Sequence, residues 1–138
     1  MKALFPTARF VCLMAVLVMT GCSFGPSRSE RLADHLEAAT QAIQAADLER
    51  AKVEIAAAAE DTRWDRDRER VGSLAFLVAG SEAMMRGDAR LAGAYWSNIE
   101  DEALKAQVAA KSQRLGVTVA DEPVAVPLPA HHDGRVSR

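Results

Sequence analysis

Between Pro26 and Pro123 the chain contains no proline, and that absence constrains its fold more than any other single feature. A proline inside a helix removes a backbone hydrogen bond and clashes with the preceding turn, so long helices are permitted throughout this span. From about Ser27 to Leu115 the span is also rich in Ala, Leu, Glu, Arg and Gln, which are strong helix formers, and it has almost no alternating β-branched pattern. The expected fold is all-α, with about five helices arranged as antiparallel hairpins.

Local punctuation divides the span. Ser27 with Glu30 three residues on reads as a capping box opening a helix through Leu32, Leu36, Ala39 and Ile43. Asp47 reads as the N-cap of a second helix through Leu48, Ala51, Ile55 and Ala58. The polar stretch from Glu60 to Glu69 follows, with Trp64 its only apolar residue. A third helix is expected from about Arg68 to Arg86, apolar nearly all round between Leu74 and Gly80 and so the most buried. Gly87 and Asp88 suit a sharp turn into a fourth helix carrying Leu91, Ala92, Tyr95, Trp96 and Ile99. Ser97 with Glu100 suggests a second capping box ahead of a fifth helix, Asp101 to Leu115, which ends at Gly116.

Two segments repeat one pattern. His35, Ala38, Ala39 and Ala42 are followed by Ala46-Asp47, Ala51 and Ile55; Phe76, Ala79, Gly80 and Ala83 are followed at the same spacings by Gly87-Asp88, Ala92 and Trp96. This resembles the tetratricopeptide repeat, in which a small residue of helix A meets a small residue twelve positions later in helix B, with a large apolar residue four positions after that. The resemblance covers about residues 29 to 104 and pairs Ala39 with Ala51 and Gly80 with Ala92. It departs from the family in an interval of 41 residues between Ala39 and Gly80, against roughly 34 in the family. The terminal Pro is also replaced by Arg63 and Leu104, and the usual large opener by His35.

In the register of that family, helix-A residues line a concave surface. The resemblance therefore implies a partner-binding groove formed by Leu36, Thr40 and Ile43 of the first repeat, with Ala33 and Gln44 beside them. The second repeat would contribute Leu74, Leu77, Ser81, Met84 and Met85. Adjacent methionines suit a segment of a partner chain because Met adapts its shape. The competing expectation is that these side chains pack on the fifth helix as core. A further candidate occupant is the chain's own segment Val124 to Pro129.

The N-terminus adds a location. A basic start (Lys2, Arg9), the apolar run Phe10 to Met19 and small residues before Cys22 have the order of an export signal. Met19-Thr20-Gly21-Cys22 resembles the lipobox of bacterial lipoproteins, with Met where Leu is commoner. That resemblance implies cleavage before Cys22, lipid attachment there with a chain such as palmitate, and a domain facing the periplasm. Ser23 stands where an Asp would imply retention at the inner membrane, so outer-membrane delivery is favoured. A spanning helix needs about 20 apolar residues, more than this run supplies before Thr20.

The resulting division is a signal peptide at residues 1–21, a tether at 22–28, the helical domain at 29–116 and an extended or disordered tail at 117–138. Cleavage removes Lys2 and Arg9 and no acid, so 17 basic residues become 15 against 19 acidic ones, a formal charge of −4. This is no concentrated basic stripe of the kind that binds nucleic acid. Of the two cysteines, Cys12 lies in the removed run and Cys22 would be acylated, so the fold would rest on its core without a disulfide.

Catalytic readings find little. Ser73, Ser81 and Ser97 have no Gly-x-Ser-x-Gly context, and His131-His132-Asp133 lies in the tail without companion ligands. No cofactor, metal site or enzyme activity is implied. The expectation is a lipid-anchored cell-envelope protein that binds envelope proteins or peptide segments as an assembly module. The alternative is a helical spacer that self-associates through its Ala-rich faces, and the sequence leaves the oligomeric state open.

Overall fold

The computed structural model describes residues 25–127. The expected signal peptide, Cys22 of the lipobox resemblance, and residues 128–138 with the histidine pair lie outside the described residues. Within them the chain is all-helical: α1 (Arg28–Gln44), α2 (Leu48–Asp61), α3 (Asp65–Met85), α4 (Ala89–Ser97) and α5 (Glu102–Gln113), with no strand among the described residues. No helix there is long and apolar enough to cross a membrane.

Each helix starts where its capping chemistry allows. Ser27 accepts from the Glu30 amide while the Glu30 carboxylate accepts from the Ser27 amide, the expected capping box. The Glu30 carboxyl is held below its ordinary value by these Ser27 hydrogen bonds. Asp47, Asp88 and Asp101 cap α2, α4 and α5 by accepting from the amides of Arg50, Leu91 and Leu104. α3 begins at Asp65, three residues earlier than the sequence suggested, with Trp64 at its N-cap and no side-chain cap bond. Asp65 and Asp67 in its first turn oppose the helix dipole instead. The capping box expected at Ser97 and Glu100 does not form: Ser97 ends α4, and its hydroxyl donates to the Ala94 carbonyl at 2.8 Å.

Three helix ends use one device. The amides of Ala46 and Asp47 return to the carbonyls of Ile43 and Ala42, at 3.0 and 2.9 Å. Gly87 and Asp88 return to Met84 and Ala83, both at 2.9 Å, and Gly116 and Val117 to Gln113 and Ser112, at 3.1 and 3.0 Å. This is the paired closure that satisfies terminal helix carbonyls, and it requires a left-handed residue at the turn. The φ values are 57° at Ala46, 81° at Gly87 and 71° at Gly116.

The hairpins α1–α2 and α3–α4 pack through small residues. Ala39, Ala51, Ala58, Ala83 and Ala92 are fully buried, and their short side chains let helix axes approach closely. α3 is the shared wall: Val71 and Val78 complete a core with Leu32, Leu36 and Ile55. Its Ala79 and Ala83 complete a second core with Tyr95, Trp96, Ile99, Val108 and Val117. Lys52 spans the join between hairpins, pairing with Glu49 at 2.7 Å on α2 and with Glu82 at 2.8 Å on α3. These hydrogen bonds, Glu49 first and then Glu82, raise the Lys52 pKa above its ordinary value.

Gly80 sits beneath the Trp96 indole, where an added Cβ would come closer than 3.0 Å to ring atoms Nε1, Cδ1 and Cε2. Ala92, the residue paired with Gly80 in the expected repeat register, is buried in the same core as Trp96. Trp96 Nε1 donates to the Leu77 carbonyl at 3.2 Å, which fixes the ring there.

The compact part of the molecule continues past Gly116. Val117 is buried in the second core, and the extended segment 117–127 lies across α4 and α5. Asn98 Nδ2 donates to the Val124 carbonyl at 2.7 Å and Lys105 Nζ to that of Asp121 at 3.0 Å. At Gly93, an added Cβ would fall inside 3.0 Å of the Thr118 carbonyl oxygen. Glycine there allows the strap to lie against α4.

Candidate partner-binding cleft

A cleft of about 450 Å³ opens where α1, α3 and the start of α5 meet. Ala33, Leu36, Glu37 and Thr40 line it from α1, Arg70 and Leu74 from α3, and Asp101 and Leu104 from the α5 end. The spacing explains the α1 side: residues three and four apart share a helix face, so Ala33, Leu36, Glu37 and Thr40 present one stripe. Arg70 and Leu74 stand in the same relation on α3.

The far wall depends on a buried hydroxyl. Ser73 on α3 accepts from the amides of Glu100 and Asp101, at 3.1 and 3.0 Å. Those amides begin the connection to α5, so Ser73 sets where Asp101 and Leu104 stand relative to Leu74. Sequence reasoning weighed Ser73 only as a nucleophile.

Of the residues expected to form or flank a groove, Ala33, Leu36, Thr40 and Leu74 line this cleft. Leu36 is also core, and the Thr40 hydroxyl donates to the Leu36 carbonyl at 2.8 Å. The others are distributed elsewhere. Ile43 packs on the first core, and Leu77 and Met84 on the second. Ser81 is half-buried with its hydroxyl donated to the Leu77 carbonyl at 2.8 Å, and Met85 is 77% exposed. The cleft is thus shorter than the expected groove, and α5 closes part of it through Leu104.

Its lining combines three leucines, Leu36, Leu74 and Leu104, with three charged residues, Arg70, Glu37 and Asp101. Such a surface takes an apolar side chain and orients it by one or two polar contacts. Among the described residues no cluster of three or more His, Cys, Asp or Glu side chains is placed to hold a metal. His35 lies away from the cleft lining and meets Glu54 of α2, Nδ1 to Oε2 at 2.8 Å.

A second cleft, about 570 Å³, lies under the strap between α4 and residues 118–126. The segment from Val124 to Pro127 is held there, on α4, by the Asn98 contact and by Tyr95 Oη donating to the Pro127 carbonyl at 3.4 Å. It does not enter the α1–α3 cleft, which removes the described part of the tail as that cleft's occupant.

Fold and cleft together define an all-α protein of stacked helical hairpins with an apolar cleft on one face. No family model, curated protein or solved structure matches the chain.

Proposed function

We propose that this chain is a lipid-anchored protein of the bacterial cell envelope whose tetratricopeptide-like hairpins act as a binding or assembly module for a segment of another envelope protein. The observation that carries the reading is the cleft itself: three leucines line it, and it opens to solvent between the two hairpins and the start of α5, on a face that the strap does not cover. Its two acids and one arginine suit a segment that carries an apolar side chain beside a basic one. The 41-residue recurrence of turn and cap bonds supports the repeat resemblance, and the order of residues 1–22 supports the anchor.

A photo-reactive amino acid placed at Thr40, in the cleft, and at Val53, which is 67% exposed on α2 outside it, tests the module in growing cells. One discrete heterologous adduct from position 40 and none from position 53 is the expected result. Adducts of equal yield at both sites, or none at either, would remove the cleft as the binding surface. An adduct containing two copies of this chain alone would favour the self-associating spacer. Incorporation of labelled palmitate, abolished by Cys22→Ser, tests the anchor separately.

A further inference from the structure

Trp64 is 73% exposed, whereas the other tryptophan, Trp96, is 6% exposed and central to a core. Trp64 belongs to neither core cluster and makes no capping bond at the start of α3. Folding therefore gives no account of an indole at this position.

Its place in the fold does. The antiparallel order puts the start of α1, the end of α2 and the start of α3 at one end of the domain. Arg28 donates to the Glu60 carbonyl there, and Arg28 and Arg31 pair with Asp61 at 3.3 and 2.9 Å. Arg31 Nη1 also donates to the Pro26 carbonyl at 3.1 Å, so the end of α2 is tied to the entering chain. Ser73 holds the α4–α5 turn eight residues into α3. At 1.5 Å per residue, the start of α3 at Asp65, next to Trp64, stands about 12 Å beyond the level of Ser73.

We propose that the α2–α3 tip, with Trp64 at its head, is a membrane-interface contact that seats the domain against the phospholipid bilayer. The proposal rests on the lipid-anchored reading above. Cys22 and Gly25 are three residues apart, a span of at most about 11 Å, so an acylated Cys22 keeps this end of the domain beside the headgroups. An indole, apolar in body with one polar N–H, is the side chain best suited to that depth. The charges next to it alternate, with Arg63 and Arg66 beside Asp65 and Asp67, so the contact is made by insertion and not by net attraction to anionic lipid.

A protein partner at the tip is disfavoured by area. A specific interface needs about 800 Å² on each side, more than one protruding indole on a charged turn offers. A tethered membrane contact needs far less, because the anchor has already supplied a high local concentration.

The test uses the full chain purified from membranes and reconstituted in phosphatidylethanolamine vesicles, with lipids brominated near the top of the acyl chain as the quencher. Mass spectrometry of the same sample reports acylation of Cys22. An acylated protein whose tryptophan emission falls in brominated vesicles, with the fall lost in Trp64→Ala and unchanged by high salt, is the expected outcome. Circular dichroism should be the same for both proteins, leaving Trp96 as the internal background. An acylated protein with no bromide quenching, or with equal quenching in the variant, overturns the tip contact and leaves the anchor standing. An unacylated Cys22 overturns the anchor and this proposal with it. Shielding of Trp64 from aqueous iodide only after a membrane-protein extract is added would assign the tip to a protein and also overturn the proposal.

Discussion

The hairpins α1–α2 and α3–α4 are built from the same local parts and end differently. At an offset of 41 residues they share the turn closure, the Asp N-cap and a hydroxyl donated back one helical turn, Thr40 to Leu36 and Ser81 to Leu77. Two of their differences matter for packing. Ala39 and Ile55 become Gly80 and Trp96, so the bulk removed from one helix is added to the other. Lys52, which reaches across to α3, becomes Gly93, which lets the strap approach. The first hairpin is made to be stacked upon by another helix pair, and the second is made to be closed by α5 and an extended segment.

The largest effect that would test this comparison lies at the crossing. Gly80→Ala should cost about 2 kcal/mol, the overpacking penalty less the gain in helix propensity. Trp96→Ile alone should cost a similar amount by leaving a cavity. Together they recreate the Ala39–Ile55 pairing, so urea denaturation of the double variant should show about 1–2 kcal/mol of favourable coupling. Strict additivity would mean that the exchange of bulk is not compensatory.

Next in size is Gly93→Ala, which pushes the Thr118 carbonyl away. Global stability should change by less than about 1 kcal/mol, since Ala favours α4, while proteolysis between Thr118 and Pro127 accelerates. A strap as resistant as the parent's would show that glycine is not what admits it.

The turns allow an exchange of smaller effect. Ala46 holds a left-handed φ of 57° that glycine adopts without cost. Ala46→Gly should therefore stabilise by up to about 1 kcal/mol, and Gly87→Ala should destabilise by about as much. Thermal unfolding with shifts of the same sign in both would break the equivalence of the turns.

The smallest effect is confined to the first hairpin. Hydrogen bonding from Arg31 holds the Asp61 carboxyl below its ordinary value; burial opposes it, and the charges of Arg31, Arg28 and His35 add smaller effects in the same direction as the hydrogen bond. The same contact raises the Arg31 pKa. Because the folded pKa of Asp61 is depressed, its contribution is complete above the ordinary Asp pKa of about 4 and fades as pH falls through the lower folded value. Asp61→Asn should flatten the acid side of the stability profile. An unchanged acid limb would show that the Arg28–Arg31–Asp61 clamp adds nothing in solution.

Much of the fold was legible because its signals are local. The Ser27–Glu30 box, the Asp47 and Asp88 caps, the Ala46 and Gly87 turns and the glycine at 116 each act within a few residues, and each stands where the sequence placed it. The failures were those of distance. Ser97 and Glu100 carried the letters of a capping box, but the Ser73 hydroxyl, 27 residues from Glu100, engaged that turn and left Asp101 to cap α5. Met84 and Met85 shared an expected groove, yet one packs inward and the other points to solvent. The cleft was legible only on its α1 and α3 sides, at Ala33, Leu36, Thr40 and Leu74; Arg70, Asp101 and Leu104 were not among the residues expected to line it.

The sequence by itself determined that residues 28 to 113 form helices, most of their caps and turns, and that two hairpins share one pattern 41 residues apart, because propensity, capping and turn geometry are short-range. Only the tertiary structure decided that Trp96 lies over Gly80, that Ser73 aims α5, that residues 117–127 close the second core, and that Trp64 and the chain entry share one end. Those outcomes depend on which faces meet across long sequence separations, and that choice is made by burial and close packing of the whole chain.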